Sequence, residues 1–143
     1  MMETINKIDE IARLMVQSTQ LYDHWAKQQG IHYNALAVFY SVICYQPCTQ
    51  KHISDGWGLP KQTVFSVCKQ LSEKGYLYFE QDHQDKRGKT LHLSEEGKAL
   101  AEPIVAKIRA VEQAIIAEFG EQETEQFIQQ LQRFVQIIAD KTQ

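Results

Sequence analysis

The feature that most restricts the fold of this sequence is a change of period in its middle third. Between Pro60 and Gly75 apolar residues recur at helical spacing, with proline first and glycine last, as helices prefer. Residues 76–80 and 90–93 are then short β-prone runs around a polar segment at 81–89, which predicts a β-hairpin. A helix followed directly by a hairpin leaves few folds open to a chain of 143 residues.

Helical spacing predicts five further helices around this centre. The first, of about 24 residues, stops at Gly30, and the second, at 34–45, is apolar on nearly every side and should be buried. Thr49 can cap a short third helix, and Ser94 can cap a long helix that Gly120 ends. The last helix carries a stripe of apolar residues on one face, namely Phe127, Leu131, Phe134, Val135 and Ile138.

The order of these elements predicts a mainly α fold with a small β-hairpin wing. Residues 31–97 have the pattern of a winged helix-turn-helix region, within a single domain at 1–143. The first and fifth helices, each about 36 Å long, would equal the width of a compact globule of this size, roughly 37 Å. We therefore expect residues 1–30 and 98–143 to form dimerisation helices, and the protein to be a homodimer.

Charge is distributed unevenly, although the net charge is only −3. Residues 61–98 carry seven basic and six acidic side chains, whereas the remainder carries eight basic and twelve acidic ones. The hairpin region is therefore the relatively basic part of the chain, as a nucleic-acid contact would require.

Nothing in the sequence predicts secretion or membrane insertion. The first residues are acidic where a signal peptide would be basic, and the three cysteines are expected to be reduced thiols. A stretch at 28–50 has no charged residue, but its apolar centre at 35–45 is too short to span a bilayer. We expect a cytoplasmic protein.

The helix at 60–74 is the candidate reader of a DNA major groove. Its apolar face is predicted to pack inward, and polar side chains cover the other faces. Phe65 is an exception, which could contact a thymine methyl group or fold onto the hairpin. A merely solvated helix face is the competing interpretation. The candidate DNA-contacting residues of this helix are Lys61, Gln62, Thr63, Phe65, Ser66, Lys69 and Gln70.

The hairpin tip at 81–89 is the second candidate DNA contact. Lys86, Arg87 and Lys89 place three cations within a short turn, which suits a phosphate backbone or a minor groove. Asp85 can pair with Arg87 and fix the direction of its guanidinium group. A charged turn is often only solvated, but a basic tip beside a polar helix favours DNA binding.

These residues resemble the MarR family (multiple antibiotic resistance regulator) over essentially the whole chain. The resemblance is carried by Leu59 and the segment 63–75, and by Asp85-Lys86-Arg87 followed by 91–97, which is similar to the family's wing signature. It implies a homodimeric winged-helix regulator, usually a ligand-responsive repressor. It also implies that Arg87 enters the minor groove and that Asp85 orients it. Phe65 and Ser66 depart from the small residue and arginine common there, so the resemblance does not imply the base-reading pattern or the operator sequence.

An effector site is the least defined expectation. A small molecule could lie between the dimer helices and the winged region, lined by the aromatic residues Tyr22, Trp25, Tyr33, Phe39 and Tyr40, although core packing is the competing interpretation. Cys44 and Cys48 could form a thiol sensor, or a metal site with His52, but inert thiols, no metal and no cofactor are expected.

Two other classes of function are weighed against DNA binding. An enzyme is not expected, because the chain has no glycine-rich phosphate loop and no G-x-S-x-G nucleophile elbow, and we assign no catalytic residue. The alternative is a winged helix that binds proteins instead of DNA, or a thiol- or metal-responsive sensor. The sequence thus predicts a DNA-binding regulator with double-stranded DNA as its partner.

Overall fold

The computed structural model describes residues 6–85 and 88–143. It contains eight elements in chain order: α1 (Lys7–Gln28), α2 (Tyr33–Cys44), α3 (Gln50–Trp57), α4 (Lys61–Glu73), β1 (Leu77–Gln81), β2 (Lys89–Leu93), α5 (Glu95–Phe119) and α6 (Glu121–Thr142). The predicted fold class, mainly helical with one antiparallel hairpin, is confirmed. The chain divides into two compact units, one ending at Val105 and the other beginning at Ala106, so α5 contributes to both.

The ends of the helices follow from capping residues. Thr49 caps α3 as predicted, because its hydroxyl accepts a hydrogen bond from the His52 backbone N–H at 3.2 Å. The His52 ring accepts one from the Thr49 backbone N–H at 3.3 Å, which completes a reciprocal cap. Gly58 ends the helix at φ +67°, a left-handed conformation that favours glycine.

The boundaries around α4 differ from the predicted ones by one residue. Pro60 lies at the N-cap position and its carbonyl accepts from the Val64 N–H, so α4 begins at Lys61. At the other end the Tyr76 N–H donates to the Leu71 carbonyl at 2.9 Å. The Tyr76 N–H therefore closes the helix, while its carbonyl accepts from the Ser94 N–H at 3.1 Å, and strand β1 starts at Leu77.

The core of the first unit is built around α2. Seven residues of α2 are buried, as its apolar sequence predicted. Side chains from α3, α4, the hairpin and the start of α5 pack in the same core, and the largest fully buried ones are Phe39, Leu36, Ile53, Leu91, Val38, Val64, Cys48 and Cys68. The recognition-helix candidate α4 is thus fixed to a rigid base.

The hairpin is attached to this core by both backbone and side chains. Leu77 pairs with Leu93, and Phe79 pairs with Leu91, in an antiparallel register. The Leu91 N–H donates to the Cys48 carbonyl at 2.8 Å, which ties β2 to the connection between α2 and α3. This bond joins strand β2 to the helix-turn-helix that carries α4.

The second unit consists of the later part of α5 and α6. Phe119 and Phe127 meet edge to face, with ring centroids 6.0 Å apart. No residue of α6 is buried, although Val135 and Ile138 of its predicted apolar stripe are large hydrophobic side chains. In the first unit α1 likewise exposes Leu14 and Leu21. None of the helices in the described part of the chain has the length and apolarity needed to cross a membrane.

Candidate nucleic-acid interface

The outer face of α4 is polar and exposed, as predicted. Val64, Cys68 and Leu71 are buried on the inner face. The remaining predicted contacts Lys61, Gln62, Phe65, Ser66, Lys69 and Gln70 are exposed, and Thr63 is half-buried. Residues three and four positions apart share a helix face, so Gln62, Phe65, Ser66 and Lys69 form one continuous surface. We call these four residues the α4 face.

A groove runs between the α4 face and the hairpin, with a volume of about 650 Å³. It brings together four of the residues that the sequence singled out: Phe65 and Lys69 from α4, and Asp85 and Lys89 from the hairpin. The hairpin also contributes Phe79, Asp82 and Gly88. Lys86 and Arg87, the other two predicted contacts of the tip, lie outside the described residues.

The start of α3 forms the third wall of this groove, and sequence reasoning did not assign it a role. Thr49, Gln50 and Lys51 line it. Lys51 pairs with Asp55 one helical turn later, at 3.0 Å between Nζ and Oδ2, and this cation lowers the pKa of the Asp55 carboxyl. No local signal in the sequence identifies these residues, because their place in the groove depends on how α3 approaches the hairpin.

Backbone hydrogen bonds shape the described part of the tip. The Asp82 N–H donates to the Gly88 carbonyl, and the Gly88 N–H donates to the Asp85 carbonyl, both at 3.0 Å. The Asp82 carboxylate accepts from the Gln84 N–H, also at 3.0 Å. These bonds form a turn that projects from β1 and β2 beside the α4 face.

The opposite face of the hairpin carries a separate polar cluster. Tyr78 stacks on His92 with ring centroids 5.3 Å apart. The His92 Nε2 lies 2.8 Å from the Thr90 hydroxyl and 3.4 Å from the Glu80 carboxylate. These cross-strand contacts stiffen the two strands that carry the tip.

A second groove lies on the other flank of α4, within the first unit. Six residues line it from α4, namely Gln62, Thr63, Ser66, Val67, Gln70 and Leu71. The other lining residues come from the α1–α2 connection, α2, the segment after α4 and α5: Gly30, Ile31, His32, Asn34, Ala35, Phe39, Lys74, Tyr76 and Leu100. Its position gives a bound molecule direct access to the side chains of α4.

The five aromatic residues predicted for an effector site are not gathered in this groove. Phe39 lines it and is itself fully buried. Tyr33 and Tyr40 pack against Trp57 instead, each with ring centroids 5.6 Å from it, and burial raises the pKa of the Tyr33 hydroxyl, with a further contribution from Asp23. The two aromatic residues of α1, Tyr22 and Trp25, are half-buried.

Two of the three cysteines are enclosed in the core. Burial raises the pKa of the Cys48 thiol to about 11. Burial, together with Cys48, raises that of Cys68 to about 12. Cys44 is half-buried. Among the described residues no group of three or more histidine, cysteine or acidic side chains is arranged to hold a metal ion.

Comparison with known proteins agrees with this architecture. The MarR family model matches residues 30–88, which include α2, α3, α4 and β1. The HTH-type transcriptional regulator YwoH of Bacillus subtilis is 27% identical over 132 residues, covering 92% of this chain and 93% of that protein.

Solved structures extend the similarity to the whole chain. NMB1585, a MarR family regulator from Neisseria meningitidis, superposes with a TM-score of 0.84 at 32% identity, covering 96% of both chains. S. aureus MepR, solved as a DNA complex, has the same fold, with a TM-score of 0.73 at 20% identity over 93% of this chain and 96% of that one. The chain therefore belongs to the MarR family of helix-turn-helix transcriptional regulators, which are DNA-binding proteins and not enzymes.

Proposed function

We propose that this protein binds an operator as a homodimer, with α4 of each protomer in the major groove and the hairpin tip in the adjacent minor groove. The observation that carries the proposal is the shared groove, which the α4 face and the hairpin border together. Lys51, Lys69 and Lys89 contribute cations to it from three different elements. These lysines can contact the phosphates of a backbone that passes from one DNA groove to the next, while Glu73, Asp82 and Asp85 line the same groove with carboxylates.

In the proposed docking, α4 and the hairpin tip contact different parts of the DNA. The side chains at the start of a recognition helix contact base edges, so Lys61, Gln62 and Ser66 are the proposed base readers. Lys86, Arg87 and Lys89 at the tip contact the backbone and the narrow groove, where Arg87 gains from the strong negative potential. Asp85 orients Arg87. MepR, which shares the fold, has been solved bound to DNA, and this supports DNA as the ligand of this chain.

We further propose that the protein is a cytoplasmic repressor whose DNA binding is relieved by a small effector in the second groove. Gln62, Ser66 and Gln70 belong both to the exposed surface of α4 and to the wall of that groove. A bound effector would therefore hold side chains that the operator also needs, so the two ligands would bind with negative coupling. Ile31, Tyr76 and Leu100 give the groove an apolar surface for an aromatic or aliphatic molecule.

Selection of duplexes from a random-sequence pool, followed by fluorescence anisotropy, tests the proposal. The wild-type protein is expected to enrich a sequence and to bind it at least 1,000-fold more tightly than random duplex, as specific regulators do (about 10³-fold or more). A Gln62→Ala/Lys69→Ala variant should lose most of that preference, whereas Gln129→Ala on α6 should keep it. Equal affinity of the wild type for selected and random duplex would refute the proposal.

A further inference from the structure

Phe65 interrupts the otherwise polar α4 face. Its neighbours at helical spacing are Lys61, Gln62 and Lys69, all exposed, whereas Phe65 is a large apolar side chain that is itself 51% exposed. Scattered apolar residues on a protein surface need no explanation. Phe65, however, is the fifth residue of the helix that carries the proposed base readers, at the centre of their surface.

Phe65 lines a groove that holds three lysines and three carboxylates, the latter from Glu73, Asp82 and Asp85. Lys69 lines the same groove one helical turn later, and Lys51 and Lys89 line it from α3 and from β2. These cations can neutralise phosphates on the strand that lies over the groove. Phe79 lies in the groove wall as well, but half of the Phe65 side chain is still exposed.

The chemistry of the major groove offers one apolar partner for such a side chain. Base edges there present hydrogen-bond donors and acceptors, which Gln62 and Ser66 can pair with and Phe65 cannot. The exception is the C5-methyl group of thymine, an apolar contact for alanine, threonine methyl or phenylalanine.

We propose that Phe65 is a specificity-determining residue that contacts the C5-methyl group of a thymine in each half-site. The inference rests on the proposed function, because it requires α4 in the major groove. It adds the identity of one base and the atom by which that base is recognised. Removing the methyl group, by replacing thymidine with deoxyuridine, changes no hydrogen bond and no charge, so it isolates the proposed contact.

The test is a two-by-two comparison on a duplex enriched by the wild-type protein from a random pool. Its thymidines are replaced by deoxyuridine one position at a time, in both half-sites together, and affinities are measured for the wild type and Phe65→Ala. Wild-type affinity should fall about fourfold for each methyl group lost, hence roughly fifteenfold for the symmetric pair, from the transfer energy of one methyl group. Phe65→Ala should bind the thymidine duplex more weakly and be insensitive to deoxyuridine at the same position.

Two further variants serve as controls for the comparison. Phe65→Leu keeps an apolar side chain and should retain part of the discrimination. Tyr45→Ala removes another exposed aromatic ring, outside α4, and should discriminate like the wild type. Because Phe65 is half-exposed, its replacement should leave helical content by circular dichroism unchanged.

The results separate this inference from the proposed function. Equal wild-type affinity for thymidine and deoxyuridine duplexes at every position would overturn the Phe65 contact while leaving operator binding intact. An equal loss in the wild type and Phe65→Ala would also overturn it, because the effect would then belong to the DNA. Failure to enrich any duplex above random DNA would overturn the proposed function and this inference with it.

Discussion

At Gly97 a single added methyl group would collide with the backbone of another residue. A Cβ built there would lie 2.0 Å from the Tyr76 carbonyl oxygen, at the point where α5 begins against the end of α4. Gly97→Ala should lower the free energy of unfolding by about 1–3 kcal/mol, the usual penalty of overpacking. Chemical denaturation at fixed protein concentration measures it.

Gly56 is the matched control for that substitution. It lies within α3, and a Cβ at this position would have no heavy atom within 4 Å. Gly56→Ala should leave stability unchanged or raise it by about 0.5 kcal/mol, because alanine is the better helix former. If both variants unfolded at the same denaturant concentration, the close approach of Gly97 to the Tyr76 carbonyl would be contradicted.

The burial of Cys48 and Cys68 decides how reactive their thiols are. With pKa values of about 11 and about 12, the buried thiols of Cys48 and Cys68 contain almost no thiolate at neutral pH, and thiolate is the reactive form. Alkylation followed by mass spectrometry should label both only on unfolding. Operator affinity of the wild type should be the same with and without peroxide. If peroxide changed the affinity of the wild type but not that of a Cys44→Ser/Cys48→Ser variant, a redox switch would be established instead.

At the scale of elements, Ser94 joins the hairpin to α5. Its hydroxyl accepts from the Gly97 N–H at 3.0 Å, which caps the helix, and donates to the Gly75 carbonyl. Ser94→Ala should therefore cost about 1 kcal/mol in the free energy of unfolding, whereas Ser94→Thr, which keeps the hydroxyl, should cost less. Urea denaturation checks this, and equal midpoints for the alanine and threonine variants would contradict it.

The helices and the hairpin could be predicted from sequence because their signals are local. Thr49, Gly58 and Ser94 mark ends through side-chain caps or a left-handed backbone, and both are readable from residue type. The contribution of Lys51 to the groove could not be predicted, because it depends on how α3 approaches the hairpin. The same limit applies to the aromatic residues: spacing placed Tyr33 and Tyr40 together, but their partner Trp57 comes from another helix.

At the scale of the whole molecule, exposed apolar side chains predict a homodimer. Val135 and Ile138 lie on one face of α6, in a helix with no buried residue. Val135→Glu/Ile138→Glu should reduce the mass in solution from twice 16.5 kDa to 16.5 kDa, or unfold the chain, because the charges would enter the interface. Light scattering measures the mass, Gln129→Glu on the same helix is the control, and a wild-type mass of 16.5 kDa at micromolar concentration would refute the dimer.

The most direct test of the account is a salt titration of operator binding by the wild type, Arg87→Ala and Lys107→Ala. Both variants lose one cation per protomer, Arg87 from the hairpin tip and Lys107 from α5. If the tip contacts DNA, Arg87→Ala should bind more weakly and its dependence of log affinity on log salt should be shallower by up to about two units per dimer. Lys107→Ala should retain the wild-type slope. Equal affinities of the wild type and Arg87→Ala at every salt concentration would contradict the proposed docking.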